Sequence, residues 1–417
     1  MKKNNNNRII LADSAKKTQT ESNTYVSDID REEIPEYNEY YLNVSLRFRT
    51  AKIICVFLLC IFVLSSMFIF GESLTYENAR YILRDLGQIL SEDSSLPSDK
   101  ISIENNGDSD YTIFRGSIVV SSVSGVNIYS PSGTHKLKDN TTFTSPTTIS
   151  SDKYCIVYSL GAYNLSVYNT VARVYDMKFD YPIYDVAVSD QGNIAVMTQN
   201  KEYKCVVYTY DSDFRLTATY NKTSYPVAVE YSAISGDLYI ATFYTLNGCY
   251  VTELESYLPK NDSPFFSVKF NETMPYDIKT TNDGNIIMAV QKGVMFIKQD
   301  GEVISKYLFN DSISGYHLTC DSATILQKDD KTLRAKIYGS NSSLIYETQI
   351  EDASDIYCFY PYIIAKGKDT LKILQGDNDP HTIDIGFGVR KIVYNDGYIL
   401  VCYSDKITPI SVPKTLQ

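Results

Sequence analysis

The sequence predicts an all-β fold, a β-propeller of eight blades, preceded by a single transmembrane helix and a short juxtamembrane helix. Three observations predict it. Units of four short β-rich runs repeat at intervals of roughly 40 residues after Lys100, tight Gly-containing turns separate the runs, and one long uncharged stretch precedes them. Four short strands in a repeat of this length are typical of propeller blades. The predicted domains are a cytoplasmic tail (1–52), a transmembrane helix (53–71), a juxtamembrane helix and linker (72–98) and the propeller (99–417).

The membrane anchor is predicted from Ile53–Phe70, which reads IICVFLLCIFVLSSMFIF and carries no charge. At about 1.5 Å per residue this stretch just spans a hydrocarbon core of about 30 Å. A cleaved signal peptide is the main alternative, but a long segment precedes the stretch and no small-residue cleavage site follows it. Arg47, Arg49 and Lys52 precede it, whereas Glu72 follows it. The positive-inside rule therefore predicts a single-pass protein of the cell membrane, with the N-terminus cytoplasmic and the propeller extracytoplasmic.

The segments on either side of the anchor differ in character. Residues 1–52 are polar and partly acidic, and they contain too little apolar surface to offset chain entropy, so we expect a disordered tail. Residues 72–98 place Leu74, Ile82 and Leu86 near one helical stripe, and Pro97 ends the pattern. This predicts a short amphipathic juxtamembrane helix.

The repeats define the blades. Clear units begin at three positions, and similar units begin at five more: Ile183, Val227 and Tyr276, then Tyr111, Thr147, Tyr316, Ile356 and Lys391. The last unit lacks a fourth strand, and Lys100–Glu104 (KISIE) at the other end of the repeats is a candidate for it. Such an exchange would close the ring and remove an exposed edge. Counting the starts favours eight blades; seven remain possible if two weak units merge, and a β-sandwich array or a β-helix are the alternative folds.

Two turns of nearly identical sequence could be taken for ligand loops. Ser189–Val196 reads SDQGNIAV and Thr281–Met288 reads TNDGNIIM. Neither supplies the oxygen ligands of a calcium loop, and neither ends in the Lys-Ser/Thr and helix of a phosphate loop. Asp/Asn-Gly between two β runs is what a tight hairpin requires, because Gly adopts positive φ without strain. We therefore interpret both as hairpin turns of the scaffold.

Composition excludes several classes of function. A net charge of −11 and a pI near 4.9 argue against nucleic-acid binding. Three His and eight Cys without close spacing predict no zinc site. Six of these cysteines follow the anchor and lie mostly in apolar runs, so we expect small buried side chains, although pairing in an exported domain stays open: Cys155, Cys205, Cys249, Cys320, Cys358 and Cys402.

Individual residues offer little chemistry. Asp377, Asn378 and Asp379 with His381 form the best local metal-like cluster, but four coordinating groups are not evident, so a solvated loop is favoured. His317 is predicted to be a strand side chain and His135 to face solvent. No nucleophile turn is present. We therefore assign no catalytic, cofactor-binding or metal residue, and no cofactor.

The anchor, the helix ENARYILRDL and the stretch YCIVYSLGAYNLSVYN at Tyr154–Asn169 carry a resemblance to known proteins. The chain resembles WD-repeat-like and YVTN/quinoprotein-like propellers, although it has no Trp and hence no WD signature. It is more similar to a family of uncharacterised membrane-anchored β-propeller proteins of Clostridia-like bacteria, a domain of unknown function. The resemblance covers roughly 52–412 and implies the architecture above, without an active site.

The function predicted from these patterns is binding or scaffolding without catalysis. The ligand is expected on a propeller face, where the loops between strands collect, and an envelope protein or a cell-wall glycan is the expected partner. The 36 Tyr residues could line such a face. A propeller enzyme (hydrolase, lyase or quinoprotein-like) with a central-channel site is one alternative. A ligand sensor that signals to the tail is another, and the oligomeric state stays open.

Overall fold

A computed structural model describes residues 39–69, 100–103, 107–259, 261–329, 332–351, 353–375, 380–395 and 397–412 of the chain. Helix α1 (Glu39–Ile69) has 31 residues and contains most of the stretch predicted to anchor the protein. It begins inside the segment predicted as a tail. Among the residues that the structure describes, no helix is long and apolar enough to cross a membrane. The predicted juxtamembrane helix (72–98) lies outside the described residues.

Thirty-two strands form eight four-stranded antiparallel sheets, which confirms the predicted propeller and its count of eight blades. Blades 1 to 4 take four consecutive strands each: β2 (Ser109–Phe114), β3 (Ser117–Ser122), β4 (Gly125–Tyr129), β5 (His135–Asp139); β6 (Pro146–Ser150), β7 (Cys155–Ser159), β8 (Asn164–Tyr168), β9 (Arg173–Lys178); β10 (Asp185–Val188), β11 (Ile194–Thr198), β12 (Cys205–Tyr210), β13 (Leu216–Lys222); β14 (Tyr225–Tyr231), β15 (Leu238–Leu246), β16 (Cys249–Tyr257), β17 (Phe266–Asn271).

Blades 5 to 7 follow the same order, and blade 8 combines both ends of the repeat region: β18 (Pro275–Thr280), β19 (Ile286–Val290), β20 (Gly293–Ile297), β21 (Val303–Leu308); β22 (Gly315–Leu318), β23 (Ser322–Asp329), β24 (Thr332–Gly339), β25 (Leu344–Ile350); β26 (Asp355–Phe359), β27 (Tyr362–Lys366), β28 (Thr370–Leu374), β29 (His381–Asp384); β30 (Val389–Asn395), β31 (Tyr398–Tyr403), β32 (Lys406–Ser411), β1 (Ile101–Ser102). The alternatives of seven blades, a sandwich array or a β-helix are thereby excluded.

The ring is closed by the strand exchange that the sequence predicts. Ile101 pairs with Ile407 and Ser102 with Lys406, and the Ile103 N–H donates to the Asp405 carbonyl at 2.8 Å. This places the start of the propeller as the outermost strand of its last blade. The exchange covers the start of β32, an edge to which another chain could otherwise add a strand.

The hydrophobic core is divided into one cluster at each of the eight interfaces between neighbouring blades. Phe296 of blade 5, for example, packs with Ile325 and Tyr338 of blade 6. Second and third strands such as β11 and β20 are buried along their whole length, because both faces of each sheet meet a neighbouring blade. Blades therefore stabilise one another laterally, as the repeat pattern requires.

The two near-identical turns are hairpin turns, as predicted. Gly192 has φ of +90° and Gly284 of +83°, the left-handed region that favours glycine. In each turn the first residue donates its N–H to the carbonyl of the Asn that follows the Gly, at 2.9 Å for Ser189 and 2.8 Å for Thr281. Both connect the first strand of a blade to the second.

The connections define two faces of the propeller. We call the face that carries the first-to-second-strand turns, such as Ser189–Asn193, the turn face. Because the strands alternate in direction, the second-to-third-strand connections and the crossings to the next blade lie on the opposite face, which we call the entry face. The hairpin turn at Asn247 and Gly248 lies on the entry face.

Candidate functional site

The first strands of the blades line the centre of the ring, since neighbouring first strands such as β10, β14 and β18 contact one another. They place charged side chains around the central channel. Two ion pairs join neighbouring blades there: the Lys391 ammonium lies 2.7 Å from the Asp110 carboxylate, and the Lys279 ammonium contacts Glu230. Such pairs hold adjacent inner strands together.

Three of the inner strands share a further device, in which a side chain accepts a hydrogen bond from the backbone of the next blade. The N–H of Thr148 donates to Asp110 at 2.8 Å, and the N–H of Val229 donates to Asp185, also at 2.8 Å. The N–H of Cys358 donates to His317 Nδ1 at 3.1 Å. These bonds satisfy backbone donors that the four-stranded sheets leave unpaired at the channel. This is a structural role for residues that would otherwise suggest catalysis.

Three carboxyl groups of the channel influence one another. Burial raises the pKa of Asp185 to about 7, with the charges of Asp277 and Glu230 adding to the shift, although hydrogen bonds from Val229 and Val186 oppose it. Burial and the charge of Glu230 raise the pKa of Asp277 to about 6. Two acids that titrate near neutral pH in a concave site are also what general acid–base catalysis would use.

The channel provides no evident metal centre. Within the described residues, no group of three or more His, Cys, Asp or Glu side chains could hold a metal ion. Burial, with a contribution from Lys391, lowers the pKa of His317 to about 4, so this imidazole is neutral at pH 7. The channel therefore combines fixed ion pairs, two acids of raised pKa and a neutral imidazole.

A second feature lies on the entry face, where the hairpin of β15 and β16 is longer than the strands that flank it. Pairing with β14 ends at Phe243, whereas pairing within the hairpin continues to Leu246 and Cys249. Three residues at about 3.3 Å each carry the tip roughly 10 Å beyond β14. Asn247 and Gly248 both have positive φ (50° and 82°), as expected for the tight Asn-Gly turn that joins twisted strands.

The tip of this hairpin is apolar and exposed. Leu246 is 54% exposed and Tyr250 is 42% exposed. At its base Tyr225, itself 46% exposed, stacks on Phe243 with ring centroids 5.4 Å apart, and Phe243 contacts Tyr250 edge-on at 6.0 Å. We call these residues together with Cys249 the hairpin surface: Tyr225, Phe243, Leu246, Cys249 and Tyr250. The register places Phe243 and Tyr250 on one face of the hairpin and Leu246 and Cys249 on the other, so the tip exposes apolar side chains on both faces. Exposed apolar side chains on a projecting element are typical of a protein interaction site.

A second long hairpin gives an internal comparison. Strands β23 and β24 pair from Ser322 and Gly339 out to Asp329 and Thr332, beyond the pairing with β22, which ends at Leu326. Its outer part is polar, and it includes Gln327 and Lys328. Of these two hairpins, as far as their residues are described, that of blade 4 exposes aromatic and apolar side chains, whereas that of blade 6 exposes polar ones.

The residues considered from sequence are placed as follows. His317 lies on β22 as predicted, and His135 is exposed at the start of β5, where its Nε2 lies 3.0 Å from Asn127 Oδ1. His381 is exposed at the start of β29, and Asp377–Asp379 lie outside the described residues. All eight cysteines are free, and four are buried as predicted, but Cys249 is exposed and Cys320 half-buried. The expectation of six buried cysteines is therefore wrong at two positions, because Cys249 lies at the projecting tip of the β15–β16 hairpin and Cys320 in the turn between β22 and β23.

Sequence reasoning missed the channel carboxyls and the hairpin surface. The signal for the hairpin was present, since an Asn-Gly turn joins two unusually long β runs, LYIATFYTL and CYVTELESY. The channel carboxyls have a weaker signal. Asp185 and Asp277 both follow a Tyr at the start of a first strand, in YDVAV and YDIKT.

The fold and these surfaces define the class of the protein as an eight-bladed β-propeller with a charged channel and an apolar hairpin on one face. The chain belongs to a family of unknown function, DUF5711, whose sequence model matches residues 96–411. No curated protein has a sequence that matches this chain.

Two solved structures illustrate the similarity of fold. A crystal structure of a eukaryotic initiation factor is 12% identical with a TM-score of 0.52, covering 74% of this chain and 84% of that one. BamB from Moraxella catarrhalis is 9% identical with a TM-score of 0.48, covering 74% of this chain and 98% of that one. At 12% identity the first similarity shows the propeller fold alone.

Proposed function

We propose that this protein is a membrane-anchored, extracytoplasmic binding module that docks an envelope protein through the hairpin surface. The observation that carries the proposal is the apolar hairpin tip of blade 4, which projects beyond its sheet. Leu246 and Tyr250 expose apolar area that no other blade 4 strand covers. Burying this area against a partner would be favourable, because apolar surface would be removed from water.

The chemistry of the hairpin favours a protein over a cell-wall glycan at this surface. Tyrosine is enriched among the residues that dominate protein interfaces, and Leu246 offers an aliphatic contact that a polyhydroxylated sugar does not need. Strand β15 beyond Phe243 has no paired strand on the β14 side among the described residues. An extended segment of a partner could add there as a strand, with backbone hydrogen bonds for affinity and the apolar side chains for specificity.

The docking test compares the two projecting hairpins. A photo-crosslinking amino acid at position 246 should give one discrete adduct in native membranes, and the same group at position 328 should not. With the captured partner purified, the double variant Leu246→Ser and Tyr250→Ser should raise the dissociation constant at least about tenfold, because two interface anchors are lost. The matched variant Gln327→Ser and Lys328→Ser should leave it unchanged. Equal crosslinking at both positions, or equal loss of affinity in both variants, would contradict the proposal.

The anchor part of the proposal rests on sequence. The apolar run Ile53–Phe70 follows Arg47, Arg49 and Lys52, and α1 exposes large apolar side chains such as Phe57 and Phe62. In this arrangement the tail is cytoplasmic and the propeller lies outside, so the hairpin surface meets envelope components.

Cys249 offers a direct test of this orientation. Its exposed side chain on the hairpin should react with a membrane-impermeant maleimide on intact cells, and Cys249→Ser should remove most of the labelling. A cysteine placed in the tail, Ser27→Cys in the Cys249→Ser background, should react only after permeabilisation. Labelling of the tail cysteine but not of Cys249 on intact cells would refute the orientation.

Catalysis in the central channel is the second candidate, and the raised pKa values of Asp185 and Asp277 favour it. Both residues have a structural explanation, however. Asp185 accepts backbone hydrogen bonds from Val186 and Val229, and Asp277 accepts one from Ile278 at 2.8 Å. The channel carboxyls thus have structural roles, whereas the exposed hairpin tip has none within the described part of the chain. Binding at the hairpin surface is therefore the favoured function.

A further inference from the structure

A cavity of about 520 Å³ lies between blade 2 and blade 3, and none of its lining residues belongs to the hairpin surface. The outer strand β9 and the crossing that follows it form one wall, and the ends of β11 and β12 form the other. Its volume falls within the roughly 300–1,000 Å³ of small-molecule sites. Its lining combines polar groups with five aromatic residues: Tyr175, Phe179, Tyr181, Tyr208 and Tyr210.

The rings are held in place and partly accessible. Tyr175 stacks on Phe214 with centroids 4.4 Å apart and planes within 4°, and 39% of Tyr175 is exposed. Phe179 lies 6.1 Å from Tyr208. Tyr175, Tyr208 and Tyr210 all line the cavity. Burial, followed by the proximity of Tyr208 and Tyr175, raises the pKa of Tyr210 to about 12. The aromatic wall is thus largely formed before any ligand binds.

The two side-chain amides of the cavity are oriented by hydrogen bonds to neighbouring residues. The side-chain oxygen Oδ1 of Asn200 accepts hydrogen bonds from the backbone N–H groups of Glu202 and Tyr203 at 2.9 and 2.7 Å. This leaves the side-chain NH₂ of Asn200 as a donor. The Gln199 carbonyl oxygen accepts from the Tyr184 hydroxyl at 2.9 Å. The Asp180 carboxylate accepts no hydrogen bond from the described part of the chain. The two amides are therefore held beside the rings, and the Asp180 carboxylate is exposed to solvent.

We propose that this cavity between blades 2 and 3 binds a short, uncharged oligosaccharide. A sugar ring has a face of C–H groups that packs on an aromatic ring, and a rim of hydroxyls that are both donors and acceptors. Tyrosine rings beside planar amides and a carboxylate match both parts. Asp176 and Asp180 outnumber Lys178 in the lining, so an anionic polymer is disfavoured. Asp176 is already occupied by Ser166 at 2.6 Å and Arg173 at 3.3 Å, so Asp180 supplies the accessible carboxylate.

The site is independent of the proposed docking of a protein at the hairpin surface. The two regions share none of their residues, so each can be tested in the absence of the other. The double variant Leu246→Ser and Tyr250→Ser should leave saccharide binding unchanged. Failure of saccharide binding would leave the hairpin proposal standing, and the reverse also holds.

The experiment titrates the full-length chain, solubilised in a detergent without a sugar headgroup, by calorimetry and ligand-observed NMR. The neutral probes are chitotriose and cellotriose, the anionic probe is trigalacturonate, and a decaproline peptide tests the rival class of ligand. We expect saturable binding of at least one neutral trisaccharide and weaker binding of the other two probes. No saturable signal from either neutral probe, or tighter binding of trigalacturonate or decaproline, would overturn the proposal.

Variants locate the site. Tyr181→Ala should weaken the neutral trisaccharide by about five- to tenfold, since it removes a stacking ring. Tyr181→Phe keeps the ring and should reduce the affinity for the trisaccharide less than Tyr181→Ala does. Asp180→Ala should reduce that affinity by a few-fold. Tyr360→Ala removes an exposed tyrosine from the groove between blades 6 and 7 and should leave the affinity for the trisaccharide unchanged. Equal losses in Tyr181→Ala and Tyr360→Ala would place binding elsewhere and refute the site.

Discussion

Replacing Lys222 by Ala is expected to lower the free energy of unfolding of the propeller by about 3–5 kcal/mol. Lys222 ends the outer strand β13 of blade 3, and its ammonium contacts Glu255 and the Tyr257 hydroxyl on β16 of blade 4. The two charged side chains are only 14% and 9% exposed. Removing the ammonium leaves the Glu255 carboxylate buried without its counter-ion, in a region that Tyr220 helps to close with a ring centroid 4.1 Å from that of Tyr257.

A double replacement separates the loss of the pair from the cost of the orphaned charge. The variant Lys222→Met with Glu255→Leu removes both charges and keeps much of the side-chain volume, so its stability should return close to that of the wild type. Lys298→Ala, which breaks the exposed pair with Glu302, should change nothing measurable. Urea unfolding followed by circular dichroism measures all three. A double variant as unstable as Lys222→Ala would show that packing around Lys222, and not an unpaired carboxylate, accounts for the loss.

Asp277→Asn is expected to make the propeller more stable at pH 8 and to leave it nearly unchanged at pH 4. Burial and Glu230 raise the pKa of Asp277 from 3.8 to about 6, so the folded state holds a proton that the unfolded chain releases. Stability from this group is therefore fully present below pH 4 and is lost as the pH rises through about 6. A shift of about two pKa units corresponds to about 3 kcal/mol, an upper bound in a channel that contains solvent.

The neighbours of Asp277 make the amide a suitable replacement. The Asn carbonyl oxygen can still accept the Ile278 N–H, and its NH₂ can face Glu230 on β14. Loss of the charge should also relieve Asp185, whose pKa the Asp277 carboxylate helps to raise to about 7. The measurement is the midpoint of thermal unfolding from pH 4 to 8. Asp311→Asn, at an exposed position, serves as the control. If the pH profile of Asp277→Asn stayed parallel to that of the wild type, the charge of Asp277 would not destabilise the folded propeller at high pH.

The architecture could be predicted from sequence because its signals are local and repeated. Gly192 and Gly284 mark the same turn in two blades, and the additional β run in the sequence at Lys100–Glu104 precedes the first complete repeat, as expected for the strand missing from the last one. Each of these inferences needs only the period of the repeat and the conformational freedom of glycine. That is why the blade count and the closure are confirmed.

The candidate sites depend on distances that no repeat encodes. Asp185, Glu230 and Asp277 lie on the inner strands of three successive blades, and only the packing of these strands side by side brings their charges within reach of one another. The projection of Leu246 depends on where β14 stops pairing with β15. The tyrosine cavity arises from the gap between two blades, which the composition of 36 Tyr could suggest but not locate. The membrane anchor and the orientation of the chain stay predictions.

The two-residue strand β1 is also the first part of the propeller that a force applied through the N-terminal segment would reach. If the N-terminal helix is held in a membrane and a partner pulls on the hairpin surface, tension travels along the chain to Ile101 before it reaches any other blade. The pairs of Ile101 with Ile407 and Ser102 with Lys406 are the first contacts to carry that load. Their rupture would expose β32 as a free edge and leave Ile101 and Ile103 outside their cluster with Leu400 and Ile407. Strand β1 thus both closes the ring and joins it to the N-terminal segment, and we expect it to be the first strand of the propeller to detach under load.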